Sequence, residues 1–311
     1  MRESNSPFLK QQRLNVSPQA CTIVLIHGLW LSPQSLERFE EYYRSRGYNV
    51  LVPAWPRFGE TVVETRQRGT SIAGLGTAEI FEHYERLLET LDTPVVLIGH
   101  SFGGLVVQLL LDRGWGGAGV AIAAPAPKGV WRYTLVQLRA IRPVVLNLFH
   151  YGRVVSLSSD QFRNRVANTM SDFEAAEFFD RYVLPAPARV LFELALSNLD
   201  PRSPLYLNFA NHERAPLLLV SGSDDLLVPN TITRRVLRRH ACSNSVTDFK
   251  EFPGRSHLMV AEQGWEEVAS YTLAWAVSQS KRRSEYRLTD SKQHSAATFP
   301  SPFPNNHGET R

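Results

Sequence analysis

Apolar residues in this chain come as short continuous runs and as helical stripes, and the two alternate. Thr22–Ile26, Tyr48–Val52, Val95–Ile98, Val120–Ala123, Leu217–Ser221 and Thr247–Phe252 are runs of strand length, mostly Val, Ile, Leu and Phe. Near-continuous apolar character suits a parallel strand covered on both faces, because neither row of side chains then meets water. Between the runs, apolar residues recur at helical spacing. Pro33–Arg46 carries Leu36, Phe39 and Tyr43, Thr77–Leu91 carries Ile80, Phe81, Tyr84 and Leu88, and Gly264–Ser278 carries Trp265, Val268, Ala269 and Leu273. Alternating strand and helix predicts an α/β layer fold, a mostly parallel sheet with helices on both faces.

The alternation stops between Pro125 and Arg214. Trp131–Phe149 reads as one helix. Ser171-Asp172-Phe173-Glu174 is a capping box that opens a second, running to about Leu184, and Pro185–Leu199 reads as a third. No convincing strand lies in this stretch. We therefore expect a helical cap, 125–214, inserted into a core made of 21–124 and 215–280. Residues 1–20 form a polar extension. Residues 281–311, rich in Ser, Pro and charge without periodicity, are expected to be a disordered tail.

Composition narrows the class only slightly. The chain has 311 residues, 43% hydrophobic and 21% charged, with a net charge of +4 that carries no nucleic-acid signal. The positive charge is uneven: five basic residues and no acid lie between Lys128 and Ser159, and Arg234, Arg235, Arg238 and Arg239 cluster at helical spacing. Such clusters suit solvated helix faces, and also attraction to an anionic substrate or a membrane surface. Two cysteines, Cys21 and Cys242, make no disulfide framework, and no metal-ligand spacing is present. The first twenty residues lack the apolar centre of a signal peptide, and no apolar run approaches membrane-spanning length, so the expectation is a cytoplasmic protein.

The chemistry-bearing residues sit where strands end. Val95-Val96-Leu97-Ile98 leads into Gly99-His100-Ser101-Phe102-Gly103, and a helical stretch from Gly104 to Leu111 leaves it. Strand, Gly-x-Ser-x-Gly and helix are the context of a nucleophile elbow, a turn so sharp that the residues two before and two after the serine need almost no side chain. A serine hydroxyl attacks only when a base accepts its proton and a third group orients that base. Leu217–Ser221 runs into Gly222-Ser223-Asp224-Asp225, which puts a carboxylate at the carboxyl end of a strand; Asp225 is favoured and Asp224 competes. Of nine histidines, only His257, in Gly254-Arg255-Ser256-His257, combines a preceding strand with the last place in the chain order. His27-Gly28-Leu29-Trp30 follows Thr22–Ile26, so the N–H groups of Leu29 and Phe102 are the expected oxyanion donors. His27 and His100 are expected to be structural.

Together, Ile26-His27-Gly28, the Ser101 pentapeptide, Gly222-Ser223-Asp224-Asp225 and Gly254-Arg255-Ser256-His257 resemble the α/β-hydrolase superfamily, over about Thr22 to Ser278. The likeness is to its capped, esterase-like branch. The chain lacks the His-Gly-Gly-Gly loop of the hormone-sensitive-lipase branch, and Ser101 stands where dehalogenases and epoxide hydrolases carry Asp. The resemblance implies cleavage of an ester or lactone of a small, largely apolar substrate through an acyl-enzyme, without metal or organic cofactor. Ser101 would be nucleophile, His257 base and Asp225 its orienter. The superfamily also holds lyases, carbon–carbon hydrolases and non-catalytic receptors, which remain alternatives. The expected pocket draws on Trp30, Trp131, Phe149, Tyr151, Phe178, Phe179 and Phe192, with the cap setting substrate choice and the core the chemistry.

Overall fold

A computed structural model describes residues 21–67, 69, 71–130 and 151–296, with side chains as far as 285. The strands are β1 (Thr22–Ile26), β2 (Asn49–Leu51), β3 (Val95–His100), β4 (Ala118–Ile122), β5 (Val154–Val155), β6 (Ala186–Pro187), β7 (Leu217–Gly222) and β8 (Thr247–Phe252). Six of them form one parallel sheet in the order β2-β1-β3-β4-β7-β8. Register follows from the split of each apolar run between two cores. Val24, Ile26, Leu97 and Leu219 face one; Ile23, Leu25, Ile98 and Val220 face the other. A one-residue slip would exchange the two sets, so burial of both faces pins the pairing. Edge strand β8 is mostly polar, with Phe249 and Phe252 its apolar residues, as a strand with one neighbour can be.

The helices are α1 (Glu37–Arg44), α2 (Val62–Gln67), α3 (Thr77–Glu89), α4 (Phe102–Asp112), α5 (Ser159–Arg165), α6 (Asp172–Tyr182), α7 (Ala188–Leu196), α8 (Asn230–His240) and α9 (Trp265–Ala296). α3, α4 and α8 pack on one face through Ile80, Leu105 and Val236; α1 and α9 cover the other through Phe39, Tyr43 and Leu273. α4 is buried from Phe102 to Leu111, which accounts for its having no polar face.

The structure departs from the sequence expectations in several places. Pro33–Arg46 splits into a 3-10 turn, Pro33–Leu36, and α1. The insert does contain strand: β5 and β6 pair antiparallel over two residues each, too short to leave a period in the sequence. That ladder takes up Ala186 and Pro187, so α7 begins at Ala188 rather than Pro185. α5 begins with its own capping box, Ser158 with Gln161, and α6 with the expected one, Ser171 with Glu174. The closing helix does not give way to a tail at 281 but continues to Ala296. Neither Gly nor Pro occurs between Gly264 and Pro300 to stop it. Ser280, nearly buried, and an Arg283 bond to the Glu213 carbonyl (2.7 Å) hold its turns to the core. The expected helix Trp131–Phe149, the extension 1–20 and residues 297–311 lie outside the described residues.

Candidate active site

Ser101 follows β3 and caps α4 with φ 54° and ψ −123°, a positive-φ conformation that costs a non-glycine residue on the order of 1–3 kcal/mol. The surroundings compel it. Its N–H bonds the Ile122 carbonyl (2.8 Å), and its carbonyl takes the Gly104 N–H (2.9 Å). A Cβ on Gly99 would sit 2.2 Å from the Gly103 carbonyl oxygen, and one on Gly103 2.1 Å from that of Ile26. The elbow thus presses on its own helix and on the end of β1, and two bare backbones are the only way to bring it there.

Two loops complete the arrangement from the carboxyl ends of β7 and β8. Asp225 Oδ1 accepts the N–H groups of Leu227 (2.8 Å) and Val228 (2.7 Å), which leaves Oδ2 for His257 Nδ1 at 2.9 Å. His257 Nε2 lies 2.9 Å from Ser101 Oγ. Asp225 and His257 are buried, while Ser101 is part-exposed. The competitor, Asp224, is exposed, takes its neighbour Ser223 Oγ at 2.7 Å and makes no bond to His257. Aspartate, imidazole and hydroxyl in series can carry a proton off Ser101 and hold the resulting imidazolium.

The loop after β1 passes against the serine: a Cβ on Gly28 would meet Ser101 Cβ at 2.9 Å. Phe102 opens α4, where the first N–H groups have no partner inside the helix. Leu29 and Phe102, the expected oxyanion donors, therefore border Ser101. Leu29, Trp30, Leu31 and Leu227 line a narrow apolar cleft beside Ser101 and His257, and the insert adds Leu157, Phe162 and Val166. Of the expected pocket residues that are described, Trp30 is the one that lines it. Tyr151 is exposed and stands edge-on to Phe192, and Phe178 packs between Phe162 and Tyr182. Trp131 and Phe149 lie outside the described residues. Sequence reasoning missed Phe162, Val166 and Leu157; the Ser158–Gln161 capping box was the available signal, since it places Phe162 on a helix.

The insert also does more than shape the cleft. Trp30 Nε1 bonds the Val155 carbonyl (3.0 Å), and the Leu184 N–H bonds the Trp30 carbonyl (2.8 Å). On the opposite side Asn168 Nδ2 bonds the Asp224 carbonyl (3.0 Å), and the Leu258 N–H bonds that of Val166 (3.1 Å). The insert is hydrogen-bonded to the Trp30, Asp225 and His257 loops.

Two further histidines sit beneath the site. His27 stacks on Trp55, centroids 4.8 Å apart, and burial lowers its pKa to about 4. His100 Nε2 donates to the His257 carbonyl (2.8 Å); burial, aided by His257 itself, lowers its pKa to about 3. Both stay neutral while the site works. Among the described residues no three His, Cys, Asp or Glu are grouped to hold a metal ion, and no described helix is long and apolar enough to cross a membrane.

The alpha/beta hydrolase family model matches residues 23–271, and the chain belongs to that family. Among solved structures it is similar to an extracellular alpha/beta-hydrolase from a Paenibacillus species (21% identity, TM-score 0.62, covering 82% of this chain and 98% of that one). It is likewise similar to a Paleococcus ferrophilus monoacylglycerol lipase (21%, 0.60, covering 83% and 94%) and to an Arabidopsis methylesterase (16%, 0.58, covering 83% and 99%). At such identities the likeness is one of fold. No curated protein matches the sequence significantly.

Two predictions follow from this geometry. Gly103→Ala should cost about 4–5 kcal/mol or more, because the added methyl meets backbone rather than a movable side chain; urea unfolding measures it, and a loss near that of an ordinary surface change contradicts the packing. The second concerns acid. Between pH 6.5 and about 4 the unfolded chain protonates His27 and His100 and the folded chain does not. Stability is thus full above pH 6.5 and falls with pH by up to about 1.4 kcal/mol per unit for each. His100→Asn should flatten that slope, and an unchanged slope removes His100 from the acid response.

Proposed function

We propose that this hydrolase is a serine esterase, cleaving an ester or lactone of a small, largely apolar substrate through an acyl-enzyme. One observation carries the proposal: the unbroken chain from Ser101 Oγ through His257 to Asp225, both links at 2.9 Å, opening on an apolar cleft. Asp225 holds the imidazole with its proton on Nδ1, which points the Nε2 lone pair at the Ser101 hydroxyl. In the proposed reaction His257 takes that proton as Oγ attacks the substrate carbonyl. The negative charge developing on the carbonyl oxygen falls to the N–H groups of Leu29 and Phe102. Collapse expels the alkoxide, protonated by His257, and leaves the acyl group on Ser101. Water, activated by the same imidazole, then releases the acid.

The cleft supports an uncharged substrate. Beside Ser101 and His257, its lining among the described residues, from Leu29 to Leu227, is apolar and includes Trp30 and Phe162. A carboxylate or ammonium placed there would lose its water with no compensating partner. No nucleic acid, metal or organic cofactor enters the proposed chemistry.

Ser101→Ala should abolish turnover of a small activated ester, by on the order of a million-fold, and abolish labelling by a fluorophosphonate probe while the protein stays folded. Turnover within about tenfold of wild type would overturn the assignment of Ser101 as nucleophile, and a wild type that neither labels nor turns over would return the site to a receptor. Asp225→Asn should slow the reaction by about ten-thousand-fold through the wrong imidazole tautomer, with Asp224→Asn close to wild type. Equal rates for the two variants would take the orienting role away from this loop.

A further inference from the structure

The acid-to-base chain accounts for the imidazole of His257 but not for what holds its backbone. A group five residues further on does that. The Glu262 carboxylate is buried, 4% exposed, and no other charged side chain bonds to it among the contacts described. It folds back on the residue before the histidine: the Ser256 N–H donates to Oε1 (3.1 Å) and Oε2 (3.3 Å), and Ser256 Oγ donates to Oε2 at 2.6 Å. Ser256 Oγ in turn accepts the N–H of Leu258, the residue after the histidine (3.1 Å). A second hydroxyl reaches the same carboxylate oxygen from the insert, that of Thr169.

Three backbone polar groups around His257 are thereby held. Glu262 takes the N–H before it. Ser256 Oγ and the Val166 carbonyl take the N–H after it, and His100 donates to its own carbonyl. All donors around Glu262 point inward, so the site needs a group that only accepts, and a carboxylate is the one side chain of that length that does. Burying it is costly unless donors surround it, and here they come from two parts of the chain at once. Moreover, Thr169 lies in the same loop as Asn168 and Val166, which bond the Asp225 and His257 loops.

We infer that Glu262 is a positioning residue for His257, and that through Thr169 it makes the placement of the imidazole depend on the docked insert. This rests on the serine-esterase reading of the site. A general base works only within a few tenths of an ångström of its place, and a shift of about 1 Å can cost on the order of a hundredfold. Glu262→Gln keeps the shape but turns an N–H₂ toward donors.

The test is the rate at which a fluorophosphonate probe labels Ser101 in the full chain, together with kcat and KM on a small activated ester and the melting temperature. Glu262→Gln should slow labelling and kcat by about ten- to a hundredfold, with KM nearly unchanged because the cleft is intact. Thr169→Val should slow both in the same direction by less, and Thr169→Ser, which keeps the hydroxyl, should restore them. Tyr43→Phe is the control: it removes a buried bond to Thr272 (3.0 Å) between α1 and α9, and should lower the melting temperature without slowing labelling. If Glu262→Gln loses stability but labels at the wild-type rate, its role is structural only and the inference fails. Should Glu262→Gln not fold, equal labelling of the Thr169 wild type and Val variant overturns the inference as firmly. A wild type that is never labelled overturns the esterase reading and this inference with it; a labelled wild type with indifferent variants overturns the inference alone.

Discussion

The site depends on how closely the Ser101 turn approaches the sheet. A carbonyl oxygen of β1 occupies the space where a side chain on Gly103 would begin, and a carbonyl of α4 does the same at Gly99. Only that approach allows β3 to end, the serine to take a positive-φ backbone, and α4 to start within one residue. The strain at Ser101 is held by bonds to β4 and by the first turn of α4, and the packing of an entirely buried helix stands behind both. It holds the hydroxyl clear of the sheet edge, where His257 can reach it.

A parallel sheet supplies the rest of the geometry at little cost. β1, β3, β7 and β8 run the same way, so the loops carrying Leu29, Ser101, Asp225 and His257 all leave one edge. Loops at an edge are not rigid by themselves. Here they are tied from above: the insert bonds the Trp30 loop on one side and the Asp224 and His257 loops on the other. The insert and the core share the apolar clusters on both faces, with Val190 and Phe192 in one and Phe162 and Phe178 in the other. Cleft shape and catalytic geometry are therefore set by the same contacts, and selectivity and rate should change together when these contacts change.

Charge is kept off the underside of the site. His27 and His100 are buried, and desolvation keeps them neutral through the range in which a histidine base operates. A cation at His100, whose ring centroid is 5.1 Å from that of His257, would oppose the imidazolium that must form during acyl transfer. Neutral, His100 instead donates a hydrogen bond to the His257 carbonyl.

The sheet, most of its flanking helices and the three linked side chains were legible in the sequence, because each rests on local facts. Continuous apolar runs force two-sided burial, Gly99 and Gly103 bracket a turn that tolerates nothing larger, and a carboxylate and a histidine after strands must emerge at one edge. The sequence favoured Asp225 over Asp224, and the fold gives the physical difference: both lie in the same loop, and the direction of the side chain separates them. The cleft was the least legible part. Tyr151 and Phe178 have the right chemistry but face solvent and the aromatic cluster around Phe162, while Phe162, Val166 and Leu227 reach the cleft by the way the insert lies on the core. Glu262 was equally invisible, because its donors come from Ser256 and Thr169, the latter 93 residues away in the chain. Local sequence determines which elements form and what chemistry their ends can carry; contacts between distant segments decide which side chains share one space, and only the tertiary structure holds those.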